Sequence, residues 1–364
     1  MPNTRIPRAV RLEFEPGALV RENLSGAAFT GADWLWVAGD EACAVDRLRR
    51  LPSAGDERLR FGEGREFALA DLLDLPGDVS AEADLEGMDV VDGWLWVVGS
   101  HGLKRKNAKP GRSDADNAKR LAKVSLDANR RLLARLPIEA DAQGTACLVR
   151  EARDGRAAMR LKGDEQDNEL TRLLADDVHV GPYMAIPGKD NGFNIEGLAV
   201  DGDRLLLGLR GPVLRGWSAI LEIALEARGG QLRLKPLDAA GTLLRKHFLQ
   251  LDGLGVRDLH FSGSDLYVLA GPTMVLDGDI RVFRWPGARE VLAANREPVR
   301  FKAEALRESV ALPHGRGTDR AEAICDVPDE LTGGKKHWLV LYDAPSPTRR
   351  DGENAVYADL LRRA

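Results

Sequence analysis

The sequence has few of the residues that would assign it quickly to a class. Among 364 residues there are three cysteines, Cys43, Cys147 and Cys325, an odd number with no close spacing. This argues against a disulfide framework or a cysteine-bound zinc site. Basic residues are not in excess, because the formal net charge is -5, whereas nucleic-acid-binding domains are usually basic. We therefore expect free thiols and no nucleic-acid partner.

Long apolar runs are also missing. No segment approaches the roughly 18 apolar residues of a membrane helix, and the start, "MPNTRIPRAVRLEFEPG", has no apolar stretch of signal-peptide length. We expect a cytoplasmic location and no membrane partner. The sequence also has no Walker loop, strand-linked GxGxxG, His-Glu-x-x-His or GxSxG elbow. No nucleotide cofactor is therefore expected.

A hairpin pattern recurs along the chain. Each copy has a strand, a turn rich in Gly, Asp or Ser, and a second strand rich in Trp, Val, Leu or Tyr. The copies are "LSGAAFTGADWLWVAGD" from Leu24, "LEGMDVVDGWLWVVGS" from Leu85, "IEGLAVDGDRLLLGLR" from Ile195, "VRDLHFSGSDLYVLAG" from Val256, and a looser "AEAICDV…HWLVLYD" from Ala321. Such a repeat predicts an all-β propeller with blades of four strands.

Outer strands follow most hairpins. We assign the outer pairs to residues 119–138 in the second copy, 218–237 in the third, and 278–287 with 297–306 in the fourth. The last copy has only one further strand, residues 354–363, while the N-terminal segment 8–16 is a strand without a hairpin. We expect these two ends to pair and close the ring, which removes an exposed sheet edge.

The long gap between the second and third hairpins decides the number of blades. Residues 139–167 are too few for four strands of about five residues each plus turns. We therefore predict five blades in a single domain, residues 1–364, with residues 139–193 as an insertion and helical linker; six blades are the alternative. Residues 168–194 are expected to form a helix and a loop that lead into the third hairpin, and residues 239–255, before Val256, are expected to be comparable.

Charged residues recur at one end of each hairpin. The first strands begin with Ser25, Glu86, Glu196, Arg257 and Glu322, and the second strands end with Asp40, Ser100, Arg210, Gly271 and Asp343. The start of one antiparallel strand lies beside the end of the next. Both sets are therefore expected at the same mouth of the central channel, where buried charge requires a partner or a ligand.

Three interpretations of this ring remain open. In the first, the arginines Arg210 and Arg257 pair with carboxylates and form a structural plug. In the second, a divalent cation such as Ca²⁺ is bound by Glu86, Glu196, Glu322 and Ser25. In the third, a small polar or anionic ligand is bound by the two arginines with Asp40, Asp343 and Ser100. The last two are compatible. Together they predict a hydrolytic site in which a metal polarises the substrate and a carboxylate such as Glu196 activates water.

The order of the motifs "GSH", "KDNGFNIEGLAV", "LLLGLRGP", "GVRDL" and "AEAI" resembles the bacterial family called domain of unknown function 3616, from about Ser25 to the C-terminus. The resemblance implies membership and no assigned chemistry. The Glu-Gly-Leu motif is also faintly similar to calcium-activated nucleotidases and to phytase-like or esterase-like propellers. That likeness implies a central calcium held by Ser25, Glu86, Glu196 and Glu322, although Arg257 departs from the pattern.

His101 follows the second hairpin and begins a basic stretch, "HGLKRKNAKPGR". It is a candidate general base or anion contact at the mouth, and the stretch is alternatively a solvated loop. The functional prediction is a metal-dependent hydrolase of a phosphoester, ester or lactone. The alternative is a non-enzymatic scaffold that binds an unidentified protein partner.

Overall fold

Five β-sheets surround a central channel in the computed structural model, which describes residues 10–53, 58–302 and 306–363. The innermost strand of each sheet contacts the innermost strands of two neighbouring sheets, so the five form a closed ring. We number the sheets as blades 1 to 5 in chain order. The fold is the predicted five-bladed propeller, and the described residues contain no sixth blade.

The two inner strands of each blade are the predicted hairpins. They are Leu24–Thr30 with Trp34–Gly39, Leu85–Val91 with Trp94–Gly99, Asn194–Asp201 with Arg204–Gly211, Gly255–Ser262 with Asp265–Gly271, and Arg320–Asp326 with His337–Asp343. Both strands of every hairpin are mostly buried. The apolar and aromatic residues of the repeat therefore form the packing between blades.

The third and fourth strands complete each blade. They are Ala44–Leu51 with Leu59–Ala68, Leu133–Ala140 with Met159–Arg160, Trp217–Arg228 with Arg245–Gln250, Ile280–Trp285 with Arg307–Leu312, and Ala355–Arg362 with Val10–Glu13. Shorter strands extend these sheets or form a separate ribbon: Lys104–Arg105, Val124–Ser125, Ala146–Leu148, Gln231–Lys235, Val299–Lys302 and Arg350–Asp351.

Helices are short and lie in connections. The α-helices are Leu69–Leu72, Asp114–Ala122, Glu169–Ala175, Ala288–Ala294 and Asp329–Thr332, and the 3₁₀ turns are Leu19–Glu22, Ala128–Arg131, Gly181–Tyr183 and Gly188–Asp190. The helix predicted in the insertion begins at a reciprocal capping box between Asn168 and Thr171. Within the described parts of the chain, no helix has the length and hydrophobicity needed to cross a membrane.

The N-terminal strand closes the ring as predicted. Val10 pairs antiparallel with Ala358 of blade 5 and parallel with Leu59 of blade 1. Val10 and Leu12 are fully buried. Since this strand bonds to both neighbours, blades 1 and 5 become one continuous sheet, and each covers the edge of the other.

The outer pair predicted for blade 2, residues 119–138, is correct only in its second half, which contains most of the third strand, Leu133–Ala140. Residues 119–122 end the helix Asp114–Ala122, and the fourth strand is Met159–Arg160, inside the segment expected to be the insertion. Local signals explain the helix, because the Ser113 hydroxyl accepts a hydrogen bond from the Asp116 amide and the charges suit the helix dipole. Alternation of apolar residues there coincided with a strand pattern by chance.

Two further assignments differ from prediction. Residues 245–250, expected within a helix and loop, form the fourth strand of blade 3, and Val299–Lys302, expected in blade 4, pairs parallel with that strand. Residues 303–305 of the predicted strand lie outside the described residues. Arg245–Leu249 is buried throughout, and a short buried run does not distinguish strand from helix by periodicity.

The second strands of blades 1 and 2 each contain two tryptophans, spaced two residues apart, that contribute to packing. Trp36 and Trp96 are buried in apolar clusters, whereas the guanidinium groups of Arg47 and Arg135 cover Trp34 and Trp94, at 4.6 and 4.1 Å from the ring centroids. The three cysteines are free thiols; Cys325 is buried and the other two are half-buried.

Candidate functional site

A β-bulge occupies the same place in every innermost strand. In blade 1, Leu24 pairs with Gly39 and Gly26 with Ala38, so Ser25 is the extra residue. The extra residues of all five blades are Ser25, Glu86, Glu196, Arg257 and Glu322. A bulge redirects a side chain from the regular alternation of the strand. The bulges therefore account for the recurring polar column seen in the sequence.

The small residue after the bulge allows close packing of neighbouring blades. A Cβ atom on Gly87 would lie 2.9 Å from the Leu198 Cβ, and one on Gly197 would lie 2.8 Å from the Leu259 Cγ. Such contacts are too short for any side chain. In the Glu-Gly-Leu motif, the Glu thus occupies the bulge, the Gly permits contact between innermost strands, and the Leu enters the core.

A cavity of about 40 Å³ lies where the two predicted columns meet. We call this cavity and its rim the channel mouth. Six predicted site residues line it, namely Asp40, Glu86, Arg210, Arg257, Glu322 and Asp343. Lys189 and Arg320 add two cationic groups, and Met274, Val275 and Leu276 add an apolar side. Carboxylates and cations from all five blades thus converge on one small volume.

One half of the channel mouth consists of ion pairs. Arg210 Nη1 donates to Glu196 Oε1 at 2.6 Å, and Arg257 Nη1 contacts Glu196 Oε2 at 3.5 Å and also donates to Glu322. Asn194 Nδ2 donates to the same Glu196 Oε1 at 2.9 Å. Glu196 is 2% exposed. Its charge is therefore neutralised within the structure, as the salt-bridge interpretation predicted for this part of the ring.

The arginines are also bound to the backbone of blade 4. Arg210 Nε donates to the Thr273 carbonyl at 2.9 Å, and Arg257 Nη2 donates to the Pro272 carbonyl at 3.2 Å. Burial disfavours the charged form of Arg210, but the carboxylates of Glu196, Glu322 and Glu86 outweigh it, so the pKa of Arg210 is raised. Each arginine thus binds a carboxylate and a backbone carbonyl, while the buried Nε of Arg257 has no hydrogen-bond partner among the described residues.

The other half of the channel mouth holds carboxyl groups without partners. Glu86 is 8% exposed and makes no hydrogen bond or ion pair with another described residue. The Asp40 Oδ1 atom is buried and also has no hydrogen-bond partner in the described chain. A buried carboxylate without a partner is costly. A bound group of opposite charge would therefore be stabilised most in this half of the channel mouth.

The pKa values of these acids reflect the crowding. Burial, together with the charges of Glu322 and Asp84, raises the pKa of Asp40 to about 8. Burial and the charge of Glu196 raise the pKa of Glu86 well above its usual range. The pKa of Glu322 is raised to about 7, because burial outweighs the neighbouring Arg257. Burial and crowding thus favour the neutral form of all three acids, and a bound cation would favour the charged form.

Ser25 and Ser100 do not line the cavity. The Ser25 hydroxyl donates to the Leu85 carbonyl at 2.6 Å, which links blades 1 and 2. Ser100 is fully buried, and its hydroxyl accepts from the Gly102 amide at 3.3 Å. Both hydroxyls are occupied by the backbone.

His101 also points away from the cavity. Its Nδ1 contacts the Gly99 carbonyl at 2.8 Å and its Nε2 contacts Asn168 Nδ2 at 2.9 Å, which places Nδ1–H as the donor and Nε2 as the acceptor. Burial lowers the pKa of His101 to about 4. The neutral ring connects blade 2 to Asn168, the residue that caps the insertion helix.

Most of the predicted metal ligands are bound to other groups of the protein. Glu196 and Glu322 bind arginines, the Ser25 hydroxyl binds a carbonyl, and only Glu86 is free among the described residues. Over residues 10–53, 58–302 and 306–363, no three His, Cys, Asp or Glu side chains are grouped as a metal site.

Two components of the site were missed from the sequence. Lys189 precedes the "DNGFN" segment in a 3₁₀ turn, and the apolar residues 274–276 lie in the connection after the second strand of blade 4. Neither connection follows the repeat. Lys189 lies shortly before the first strand of blade 3 and residues 274–276 lie shortly after the second strand of blade 4, so closeness to the inner-strand ends at the channel mouth was the only available signal.

Comparison with solved structures finds weak likenesses. They include a putative oxidoreductase (glucose dehydrogenase) of Thermus thermophilus, with 14% identity, TM-score 0.37 and coverage of 95% of this chain and 99% of that one. Virginiamycin B lyase of Staphylococcus aureus has 9% identity, TM-score 0.32 and coverage of 93% and 94%. Hydrazine synthase of Kuenenia stuttgartiensis has 12% identity and TM-score 0.33; the match covers 89% of this chain and 58% of that one.

These scores are too low to support an argument, and the fold stands on the strand pairing of the chain itself. None of the curated proteins compared with the chain matches it. One family model matches residues 23–359, nearly the whole propeller, and it is described as "Protein of unknown function (DUF3616)". The chain belongs to this family.

Proposed function

We propose that the channel mouth binds a small polar ligand through a cationic group, an ammonium group in the first instance, held by Asp40 and Glu86. The observation that carries this proposal is Glu86, which is nine-tenths buried, lines the cavity and has no partner among the described residues. A cation next to Glu86 and Asp40 would remove the desolvation cost of both carboxylates.

A cationic group fits better than an anion held by the two arginines. Arg210 and Arg257 already donate to carboxylates and to backbone carbonyls. An anion that bound through the same N–H groups would have to displace those partners. Lys189 is exposed on the rim and makes no hydrogen bond or ion pair with a described residue, although its charge acts on Asp40 and Asp84. An anionic substituent of the same ligand therefore has one contact available. A divalent cation bound by carboxylates is the alternative occupant.

Hydrolysis is a second candidate function, and a specific feature favours it. Asp40 and Glu322 both line the cavity, and their pKa values are raised to about 8 and about 7, so at neutral pH Glu322 is near half-protonation and Asp40 is mostly protonated. General acid–base catalysis is most effective with such values. The test is a panel of p-nitrophenyl acetate, p-nitrophenyl phosphate and simple lactones, with Asp40→Asn as the variant; turnover that persists in this variant would remove the candidate.

The binding proposal is tested by thermal unfolding at pH 8.5 with methylammonium chloride, calcium chloride or sodium chloride at matched ionic strength. We expect the melting temperature to rise with methylammonium beyond the sodium control, since a ligand specific for the folded state stabilises it. The rise should vanish in Glu86→Gln and persist in Glu41→Gln, an exposed carboxylate near the rim.

The alternatives give different results. A rise with calcium alone identifies the metal as the occupant. The absence of any cation-specific rise would refute the binding proposal and favour the non-enzymatic scaffold, in which the charged ring only holds the blades together.

A further inference from the structure

An apolar loop borders the charged cavity. Met274, Val275 and Leu276 line the channel mouth, and they are 42%, 53% and 61% exposed. Throughout the described residues they are the only consecutive large apolar side chains that are exposed; the others occur singly. We call residues 274–276 the apolar loop. Exposure of three consecutive apolar side chains to water is unfavourable, and it occurs nowhere else among the described residues.

Both ends of the apolar loop are attached to the propeller. The carbonyls of Pro272 and Thr273 accept hydrogen bonds from the arginines of the charged ring, and Asp277 Oδ1 accepts from the Gly317 amide at 2.8 Å. The loop is therefore positioned by the same arginines that neutralise Glu196 and Glu322. Its side chains are exposed although its backbone is anchored.

The size of the cavity limits what it holds. A volume of about 40 Å³ is enough for roughly three water molecules or a head group of similar size. Any larger part of a ligand bound there must extend from the cavity along the rim. The apolar loop is one side of that rim.

We propose that the ligand is amphipathic, with a small cationic head group in the cavity and an apolar group that packs on Met274, Val275 and Leu276. This inference rests on the proposed function and adds the substrate class to it. The apolar group is recognised by burial of side chains that are otherwise exposed. The charged ring provides the head-group contacts, and the apolar loop determines which substituent is preferred.

The test uses a series of primary alkylammonium chlorides, from methylammonium to hexylammonium, titrated calorimetrically at pH 8.5 and constant ionic strength. In the wild-type protein we expect affinity to increase about two- to fourfold per added methylene, as expected for partial to full burial of each group. In the triple variant Met274→Ser, Val275→Ser and Leu276→Ser, the increase should be lost while methylammonium affinity stays within about twofold.

The matched control replaces exposed apolar residues elsewhere. Val79→Ser with Val178→Ser changes two side chains that are 68% and 80% exposed and do not line the cavity. This double variant should retain the chain-length dependence.

The outcomes separate the inference from the proposed function. Binding of methylammonium without chain-length dependence, or an unchanged dependence in the triple variant, would overturn the amphipathic ligand and leave the cation site intact. The absence of binding by every alkylammonium would overturn both. Sedimentation tests a further occupant: self-association of the wild-type protein that the triple variant loses would show that the apolar loop contacts a second copy, which also overturns the inference.

Discussion

Two clusters of buried charge in this propeller differ in how completely they are satisfied. The blade 5 cluster consists of Arg349, Asp359, Asp319 and Tyr342. Arg349 binds both oxygens of Asp359 at 2.8 and 3.0 Å, contacts Asp319 at 3.2 Å, and lies 3.6 Å from the centroid of the Tyr342 ring. Tyr342 donates to Asp359 at 2.7 Å. The channel mouth instead leaves Glu86 and Asp40 without partners.

The difference indicates which cluster is structural. In the blade 5 cluster every charged group has an opposite charge, and the cluster joins a connection to the third strand of its blade. No carboxylate of the cluster lacks a cation, and Arg349 Nε, which makes no hydrogen bond with a described residue, lies 3.2 Å from Asp319. At the channel mouth the Arg210 and Arg257 pairs are structural in the same sense, while the two free carboxyl groups are open to a ligand. Residue composition is similar in both regions, so the pairing is the informative feature.

The largest expected effect comes from breaking the blade 5 cluster. Arg349→Met leaves Asp359 and Asp319 buried without their cation, and loss of one partner of a buried pair costs about 3–5 kcal/mol. Urea unfolding measures the change. Lys336→Met is the control, since its pair with Asp329 is about half exposed and should contribute less than about 1 kcal/mol. Equal effects of the two substitutions would contradict the structural assignment.

A slightly smaller loss is expected from the paired half of the channel mouth. Glu196→Gln removes the charge that Arg210 and Arg257 share, although the amide oxygen retains an acceptor. We expect the free energy of unfolding at pH 7 to fall by about 2–3 kcal/mol. Urea unfolding without ligand is the measurement. An unchanged stability would mean that the two halves of the mouth do not differ.

In the unpaired half of the channel mouth, the contribution of Asp40 to the free energy of unfolding should depend on pH. The pKa of Asp40 is raised from 3.8 to about 8, so the folded state binds more protons than the unfolded state between these values. Stability therefore decreases as pH rises through this window, by up to about 1.4 kcal/mol per pH unit. Asp40→Asn should flatten the decrease measured by urea unfolding from pH 5 to 9, and Glu41→Gln should not. A wild-type stability that increases across the window would refute this account.

The smallest effect is expected from Glu86→Gln. Burial and neighbouring carboxylates raise the pKa of this carboxyl well above its usual range, which favours its neutral form, so a neutral amide of similar shape should change the stability at pH 6 by less than about 1 kcal/mol. Together with Glu196→Gln, this substitution compares two glutamates at equivalent β-bulges of one ring. We expect a loss of stability for Glu196→Gln and little change for Glu86→Gln. A loss of about 2 kcal/mol or more would show that Glu86 has an ionic role in the folded state without ligand.

The repeat made most of the fold predictable. Five hairpins, the N-terminal strand that closes the ring and the insertion helix follow from local patterns of apolar residues, turns and caps. The outer strands of blades 2 to 4 followed only in part. Trp217–Arg228 with Gln231–Lys235 and Ile280–Trp285 coincide with predicted segments, whereas the fourth strands of these blades were missed because they are short, buried or separated by long connections. Met159–Arg160, a strand of two residues, has no recognisable pattern.

The sequence by itself determined which residues stand at the end of each hairpin, since strand alternation and turn spacing place Ser25, Glu86, Glu196, Arg257 and Glu322 in one column. Only the tertiary structure decided how these charges pair. The β-bulges redirect the side chains, the glycines bring blades together, and His101 and Ser100 turn away from the cavity. The ion pairs and the position of the apolar loop at the rim depend on connections that belong to different blades. These connections meet only in the folded protein, so the sequence carries no periodic signal for them.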